Sequence, residues 1–381
     1  MAGHDFSRTL SLAGHQTGFE RSQVWFQRIH IDLPLLILLL ILACGSLLVL
    51  YSGSGRNMAM IERQSLHFLS GFIVLFIAAQ LPPRFYSKIA LTIYVISVLS
   101  LLAVVFFGVH SKGAQRWLAL PGLPRFQPSE LAKLALPLAI AWYLSKCPTP
   151  PKFRHVLVAT TMLLIPTLLI FRQPDLGTAV LVAFTGLCVI FLAGMSWTLI
   201  ITTSLIGAAA APILWMFVLH EYQKQRVLTF LSPESDPLGS GWNIIQSKIA
   251  IGSGGLQGKG WLMGSQSHLE FLPESHTDFI IAVLAEELGL VGVLALLTLY
   301  SLIVLRCLYL SVHCETLFGR LLSGCLAITF FIYVFVNIGM VSGILPVVGV
   351  PLPLVSYGGT SVISLLAAFG ILMSMSTHNR N

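Results

Sequence analysis

The chain has 381 residues, of which 56% are hydrophobic and only 10% are charged. A soluble globular protein carries roughly 25% charged residues, and a disordered chain needs low hydrophobicity, so the composition excludes both classes. The net charge of +7 comes without the basic patch with stacking aromatics that binds nucleic acid. The composition therefore predicts a polytopic integral membrane protein with no nucleic-acid partner.

Long apolar runs follow one another along the chain, and a transmembrane helix needs about 20 apolar residues. Ten runs meet or approach this length: Leu33–Tyr51, Leu66–Leu81, Ile89–Val109, Leu131–Leu144, Val156–Phe171, Leu176–Ala193, Leu199–Leu219, Thr277–Leu305, Leu317–Val341 and Val355–Met375. They predict an all-α membrane protein with about ten transmembrane helices. Residues 1–31 are expected to form an N-terminal tail and residues 32–381 a single membrane domain.

The loops between these runs carry unequal charge. Lys and Arg are more frequent on the side that holds the N-terminus, whereas most of the fifteen acids lie on the other side or near it. Because cytoplasmic loops are enriched in basic residues, we expect a multi-pass protein of the cytoplasmic membrane with both termini in the cytoplasm. Residues 220–276 then form one large extracytoplasmic loop, within which Trp242–Ile249 has the pattern of a short amphipathic helix.

A glycine-rich string, Gly252–Gly260, lies in this loop. It does not match a nucleotide-binding P-loop, because Lys259 is followed by Gly260 rather than by Ser or Thr. A flexible turn is the favoured interpretation. The alternative is a backbone cradle for a pyrophosphate, since glycines let amide groups approach an anion closely.

Asp278 lies where the large loop enters the next apolar run. One interpretation is structural, with Thr277 as a helix N-cap and Asp278 stabilising the positive end of the helix. The other is functional, since a carboxylate at the membrane boundary beside a large loop can act as a general base. Glu286 falls about 80° around the helix from Asp278, so the two carboxylates could share a cavity.

Further charged residues lie close to the predicted bilayer. Glu130 and Lys133 are three residues apart at the start of a helix, where they could form a structural ion pair, but intramembrane charges are also functional candidates. Several other groups could either anchor helix ends or bind an anionic lipid headgroup: Arg116, Asp175, Lys224 and Arg226.

The strongest sign of a site is an irregular segment before the last helix. It is rich in Gly and Pro, follows Asn337, and ends with Ser356, Thr360 and Ser361. Irregular backbone at membrane depth must be buried in protein or line a cavity. The pattern predicts a site without distinguishing transport from catalysis.

Metal sites and disulfides are not indicated. No group of His or Cys has the spacing of metal ligands, and whether the site uses a metal is left open. The six cysteines lie in or beside apolar runs, and none lies in the large loop, so a disulfide framework is not expected.

Five motifs in this order resemble the SEDS family (shape, elongation, division and sporulation): residues 126–130 (FQPSE), 172–178 (RQPDLGT), 236–242 (DPLGSGW), 274–279 (ESHTDF) and 351–361 (PLPLVSYGGTS). The resemblance covers the chain from about Asp32 to Met375. Two further strings, residues 242–247 and 264–267, are similar to the elongation-type members of the family rather than to its division-type members.

The resemblance implies a ten-helix peptidoglycan glycosyltransferase that polymerises lipid II at the outer face of the membrane, with undecaprenyl pyrophosphate as the leaving group. Asp278 matches the family's essential aspartate, Glu130 and Lys133 match its buried pair, and Asp175 matches the acid of its Gln-Pro-Asp motif. No nucleotide is implied, although a divalent cation could share the charge of the pyrophosphate. The implied partners are a class B penicillin-binding protein and other elongation-complex proteins.

Two other functions stay open on sequence alone. A transporter that flips lipid II would use a similar polar cavity, although the one-sided distribution of the acids disfavours alternating access. A scaffold that only recruits a partner would leave the intramembrane charges unexplained.

Overall fold

The computed structural model describes residues 29–111, 114–118, 126–195, 197–218, 224, 228–230, 232, 240–265 and 274–378. Within these residues the chain is mostly helical. The helices are α1 (Leu33–Gly53), α2 (Met58–Gln80), α3 (Pro83–Phe107), α4 (Pro128–Ser145), α5 (Phe153–Arg172), α6 (Leu176–Leu192), α7 (Trp197–Ile213, continued by a π-helical turn Leu214–Val218), α8 (Ser240–Gly254), α9 (Ile280–Val312), α10 (Leu317–Val341) and α11 (Gly359–Thr377).

Each of the ten predicted apolar runs overlaps one of these helices. Seven of them are long and apolar enough to cross a membrane, namely α1, α2, α3, α5, α9, α10 and α11. The helices α6 and α7 have only 17 residues each, and α4 carries Glu130 and Lys133 near its start. The protein is therefore a multi-pass membrane protein, while the count of ten spans stays a prediction.

The predicted boundaries differ from the observed ones in several helices, and one element was not predicted. The helix after the large loop begins at Ile280 rather than Thr277, and the last helix begins at Gly359 rather than Val355. After α3, the strands β1 (Val109–Ser111) and β2 (Ala114–Trp117) form an antiparallel hairpin. The fold is thus not purely α-helical.

Burial separates central helices from peripheral ones. Most side chains of α4 and α10 are buried, whereas α1, α2, α3 and α5 expose many Leu, Ile and Phe side chains. Exposed apolar side chains on such helices are expected to face lipid. The centre of the molecule therefore lies around α4 and α10, with α6 and α11 packed against both.

The predicted helix in the large loop is present as α8, which packs against α9 and α10. Bidentate hydrogen bonds join the far end of α9 to the start of α1: Arg306 Nε and Nη2 donate to Asp32 Oδ1 and Oδ2 at 2.9 and 2.7 Å. The same Asp32 caps α1 by accepting from Leu35 N.

Candidate active site

A polar cavity of about 550 Å³ lies where the hairpin and the starts of α4, α6 and α11 converge. Its polar lining includes His67, Arg116, Glu130, Lys133, Asp175 and Thr360. Five of these six residues were predicted from the sequence as site residues. The fold therefore brings together side chains that lie as far apart in the chain as Arg116 and Thr360.

Glu130 and Lys133 form the predicted ion pair. Lys133 Nζ donates to Glu130 Oε1 at 2.6 Å, and Ser364 Oγ of α11 donates to the other carboxylate oxygen at 2.8 Å. Helix α4 begins at Pro128, so Glu130 lies in its first turn, where the helix dipole favours a negative charge. Lys133 also lies 5.3 Å from the ring centroid of Tyr333.

Arg116 and Asp175 form a second pair on the same cavity. Arg116 Nε lies 3.5 Å from Asp175 Oδ2, and Arg116 Nη2 donates to the carbonyl of Pro174 at 3.2 Å. Asp175 is also the N-cap of α6, where its Oδ1 accepts from Thr178 N. The hairpin is thereby fixed to the start of α6 through one arginine.

Asp278 is half-buried in the turn that precedes α9. The N-cap of α9 is Phe279, which makes no side-chain cap hydrogen bond, so the prediction that Thr277 caps this helix was wrong. Thr277 Oγ1 instead donates to Glu274 Oε2 at 2.8 Å. The turn closes locally on Glu274, and Asp278 lies one residue before the N-cap Phe279.

The irregular segment before α11 holds this turn in place. Tyr357 N donates to the carbonyl of His276 at 2.9 Å, and the Ser356 hydroxyl donates to the carbonyl of Thr277. Ser356 Oγ also accepts from Leu352 N. The predicted site residue Ser356 is therefore buried and does not line the cavity; it supports the turn that carries Asp278.

Gly349 connects Asp278 to the cavity. Gly349 lines the cavity and has a φ of 72°, which favours glycine. A Cβ atom at this position would lie 3.5 Å from Asp278 Oδ2. The carboxylate thus lies at the border of the cavity, beside a residue without a side chain.

The glycine-rich string makes specific contacts, so the prediction of a flexible turn was wrong. Residues 255–260, which we call the glycine strap, lie across a break in α9 at Gly289. Lys259 N and Gly260 N donate to the carbonyls of Glu286 and Glu287, and Leu290 N and Val291 N donate to the strap carbonyls at 255 and 256. In an unbroken helix, the N–H groups of Leu290 and Val291 would donate to the carbonyls of Glu286 and Glu287, four residues earlier. The strap supplies partners for all four of these groups instead. The Lys259 and Gly260 amides are therefore not free to cradle a pyrophosphate.

Glu286 belongs to this junction. It is fully buried, and its Oε1 accepts from Lys259 Nζ at 2.7 Å and from Ser265 N and Oγ at 2.9 Å. It is not among the described residues that line the polar cavity. The predicted sharing of one cavity between Glu286 and Asp278 is thus not observed.

The remaining predicted residues have different outcomes. Lys224 is half-buried and does not line the polar cavity, and Arg226 lies outside the described residues. The polar residues of the site that were not predicted as site residues include His67, Gln127, Thr178, Tyr333 and Ser364. His67 could have been found as a polar residue within an apolar run, whereas Tyr333 and Ser364 carry no sequence signal.

Across the described parts of the chain, no three His, Cys, Asp or Glu residues are close enough to hold a metal ion. The anionic groups in the cavity are instead the carboxylates of Glu130 and Asp175, each beside a basic side chain. The arrangement can bind a polar, charged ligand and offers a carboxylate, Asp278, at its border.

Comparison with known sequences gives consistent matches over almost the whole chain. The family model of the cell cycle proteins FtsW, RodA and SpoVE matches residues 27–381. The peptidoglycan glycosyltransferase MrdB of Escherichia coli (strain K12) is 54% identical over 358 residues, covering 94% of this chain and 96% of MrdB. A probable peptidoglycan glycosyltransferase FtsW of Geobacter sulfurreducens is 37% identical over 360 residues, covering 91% and 95%.

Solved structures with the same fold give matching results. A chain from a structure described as "Structural coordination of polymerization and crosslinking by a peptidoglycan synthase complex" has a TM-score of 0.81 and 32% identity, covering 92% of this chain and 98% of that one. The rod shape determining protein RodA of Thermus thermophilus has a TM-score of 0.69 and 30% identity, covering 92% and 97%.

Proposed function

The chain belongs to the FtsW, RodA and SpoVE family of cell cycle proteins and is a peptidoglycan glycosyltransferase, and we propose that Asp278 is its general base. The SEDS resemblance of the sequence motifs is thereby confirmed. Its elongation-type character is confirmed as well, since the identity to MrdB exceeds that to the FtsW relative. The proposed substrate is lipid II, polymerised during cell elongation.

In the proposed reaction, the 4-hydroxyl of the acceptor sugar attacks the anomeric carbon of the lipid-linked donor. A new glycosidic C–O bond forms, the bond to the diphosphate breaks, and undecaprenyl pyrophosphate leaves with its negative charge. The hydroxyl proton passes to the Asp278 carboxylate. The observation that carries this proposal is the position of Asp278 Oδ2 beside Gly349, at the border of the polar cavity.

The polar cavity supplies the proposed binding site for the diphosphate. Arg116 and Lys133 line it, and both are held in place by acids, at 3.5 and 2.6 Å respectively. Basic groups fixed before the substrate arrives stabilise developing negative charge without reorganisation. Asp175 and Glu130 therefore act as positioning residues in this proposal.

We place the cavity on the outer side of the cytoplasmic membrane, with ten spans and both termini in the cytoplasm. The excess of basic residues on the side of the N-terminus supports this orientation. The substrate arrives on a lipid, and several peripheral helices expose apolar side chains. The donor would therefore enter sideways from the bilayer.

The proposed partner is a membrane-anchored transpeptidase of the class B penicillin-binding protein type, together with other elongation-complex proteins. The solved structure at a TM-score of 0.81 comes from a synthase complex that coordinates polymerisation with crosslinking. A glycan strand must be crosslinked after it is polymerised, and the proposed partner would carry out that step.

The deciding experiment is polymerisation of labelled lipid II by the purified chain, alone and with a transpeptidase. We expect glycan strands from the wild type and a rate about 10²–10⁴ lower for Asp278→Asn. The matched control is Glu315→Gln, which neutralises an exposed carboxylate between α9 and α10. Near-native polymerisation by an Asp278→Asn variant of equal thermal stability would contradict the base assignment.

A further inference from the structure

The four charged residues of the polar cavity largely neutralise one another. Arg116 lies 3.5 Å from Asp175, and Lys133 lies 2.6 Å from Glu130. These two pairs together add no net charge to the cavity. A ligand that carries two negative charges, such as a diphosphate, would therefore be bound more tightly if the lining offered a further donor beside Arg116 and Lys133.

His67 is a lining residue that can provide one. It belongs to α2, and its imidazole Nδ1 is buried without a hydrogen-bond partner in the described structure. Leaving a buried polar atom without a partner opposes folding. The Nδ1 atom therefore contributes no stability to the ligand-free fold. An unpartnered polar atom on a residue that lines a cavity is expected of a ligand-binding group.

The packing around His67 fixes the orientation of its ring. The Nε2 edge rests against Gly359, where an added Cβ atom would lie only 2.7 Å from Nε2. On another side lies Tyr357, with 6.3 Å between the ring centroids. Gly359 also lines the cavity, so the Nε2 edge of the imidazole lies at the cavity wall.

We propose that His67 is a substrate-binding residue whose ring N–H donates to a phosphate oxygen of the lipid-linked diphosphate donor. This inference rests on the proposed function. The imidazole supplies a donor that neither acid in the cavity neutralises. As the diphosphate leaves, the same hydrogen bond stabilises its increasing negative charge.

The test compares His67→Leu, which removes the polar atoms, with His67→Gln, which keeps a hydrogen-bond donor at similar reach. The matched control is His155→Leu, because His155 bonds Tyr143 at 3.2 Å and does not line the polar cavity. Thermal unfolding is measured in detergent without ligand, with farnesyl pyrophosphate and with farnesol. Polymerisation of lipid II gives kcat and KM.

We expect farnesyl pyrophosphate to stabilise the wild type more than farnesol does. Without ligand, His67→Leu should have a Tm equal to or above that of the wild type. Farnesyl pyrophosphate should stabilise this variant no more than farnesol does, and its KM for lipid II should rise at least tenfold. His67→Gln should retain most of the difference, and His155→Leu should retain all of it.

The proposal is overturned if His67→Leu binds farnesyl pyrophosphate like the wild type. It is equally overturned if this variant lowers the Tm and loses activity in parallel, because His67 would then be structural. If the wild type fails to polymerise lipid II, the proposed function fails, while the farnesyl pyrophosphate measurement still decides the role of His67.

Discussion

The side-chain amide of Asn337 donates to two backbone carbonyls, that of Asp278 at 2.9 Å and that of Val350 at 2.7 Å. Asn337 lies on α10 and is fully buried. One amide thus fixes the turn that carries the proposed base and the segment that lines the cavity beside it. The distance between Asp278 and the cavity wall therefore depends on Asn337, which has no contact with the donor or acceptor sugar in the proposed reaction.

Asn337→Asp should lower both stability and activity. The carboxylate has nearly the same shape but donates no hydrogen bond, so the carbonyls of Asp278 and Val350 lose their partner. Each buried acceptor left unpaired costs about 1–3 kcal/mol. We expect a lower Tm in thermal unfolding and a lower kcat in the polymerisation assay. An Asp variant with the wild-type Tm and kcat would show that the two hydrogen bonds contribute nothing.

Lys133→Met should destabilise the protein more than the double change Glu130→Gln with Lys133→Met. Removing one partner of a buried pair leaves an uncompensated charge, which typically costs about 3–5 kcal/mol. Both side chains are mostly buried, with an exposed fraction of 16% for Lys133 and 8% for Glu130. Membrane expression and Tm are the measurements. The ion-pair account is wrong if the double variant is no more stable than the single one.

Two glycines of the same string should respond oppositely to alanine. Gly258 has a φ of 78°, and a Cβ atom there would lie 2.1 Å from the carbonyl oxygen of Glu287. Alanine in this conformation costs about 1–2 kcal/mol before the clash is counted. Gly252 lies in α8, and a Cβ atom added there would meet no atom of another part of the protein within 4 Å, so alanine should stabilise by about 0.5–1 kcal/mol. Equal Tm values for the two variants would contradict the strap contacts.

Cysteine labelling tests the orientation. The unmodified chain is the background, and cysteine is introduced at exposed Gln257 in the strap or at exposed Arg154 at the start of α5. If the large loop is external, an impermeant maleimide added to intact cells should label Gln257→Cys alone. Arg154→Cys should react only after lysis. The reverse pattern would invert the proposed topology.

The helical core was predictable because apolar length alone limits what can cross a bilayer. The ends of helices were less predictable, since they depend on tertiary contacts. The start of α9 at Ile280 is an example: Thr277 is a good capping residue by type, yet Glu274 and Ser356 hold its turn outside the helix. The hairpin after α3 was missed because three- and four-residue strands give no periodic signal.

The candidate site was also only partly predictable from the sequence. Charged residues near the membrane stood out against an apolar background, and Arg116, Glu130, Lys133 and Asp175 do line one cavity. Glu286 stood out equally but belongs to the strap, because its partners Lys259 and Ser265 are brought to it only by the folded loop. Sequence identifies unusual residues, whereas their grouping requires the three-dimensional contacts.

The strap also makes the segment that carries Asp278 a closed loop. Backbone hydrogen bonds from Lys259 and Gly260 to Glu286 and Glu287 join its two ends. The part of this loop that lies outside α9 begins at residue 261 and ends at residue 279. Insertions or deletions in that part are absorbed inside the loop, at an entropic cost that grows only slowly with length. The loop can therefore change in size or be exchanged between relatives as a cassette, without altering the register of the membrane helices.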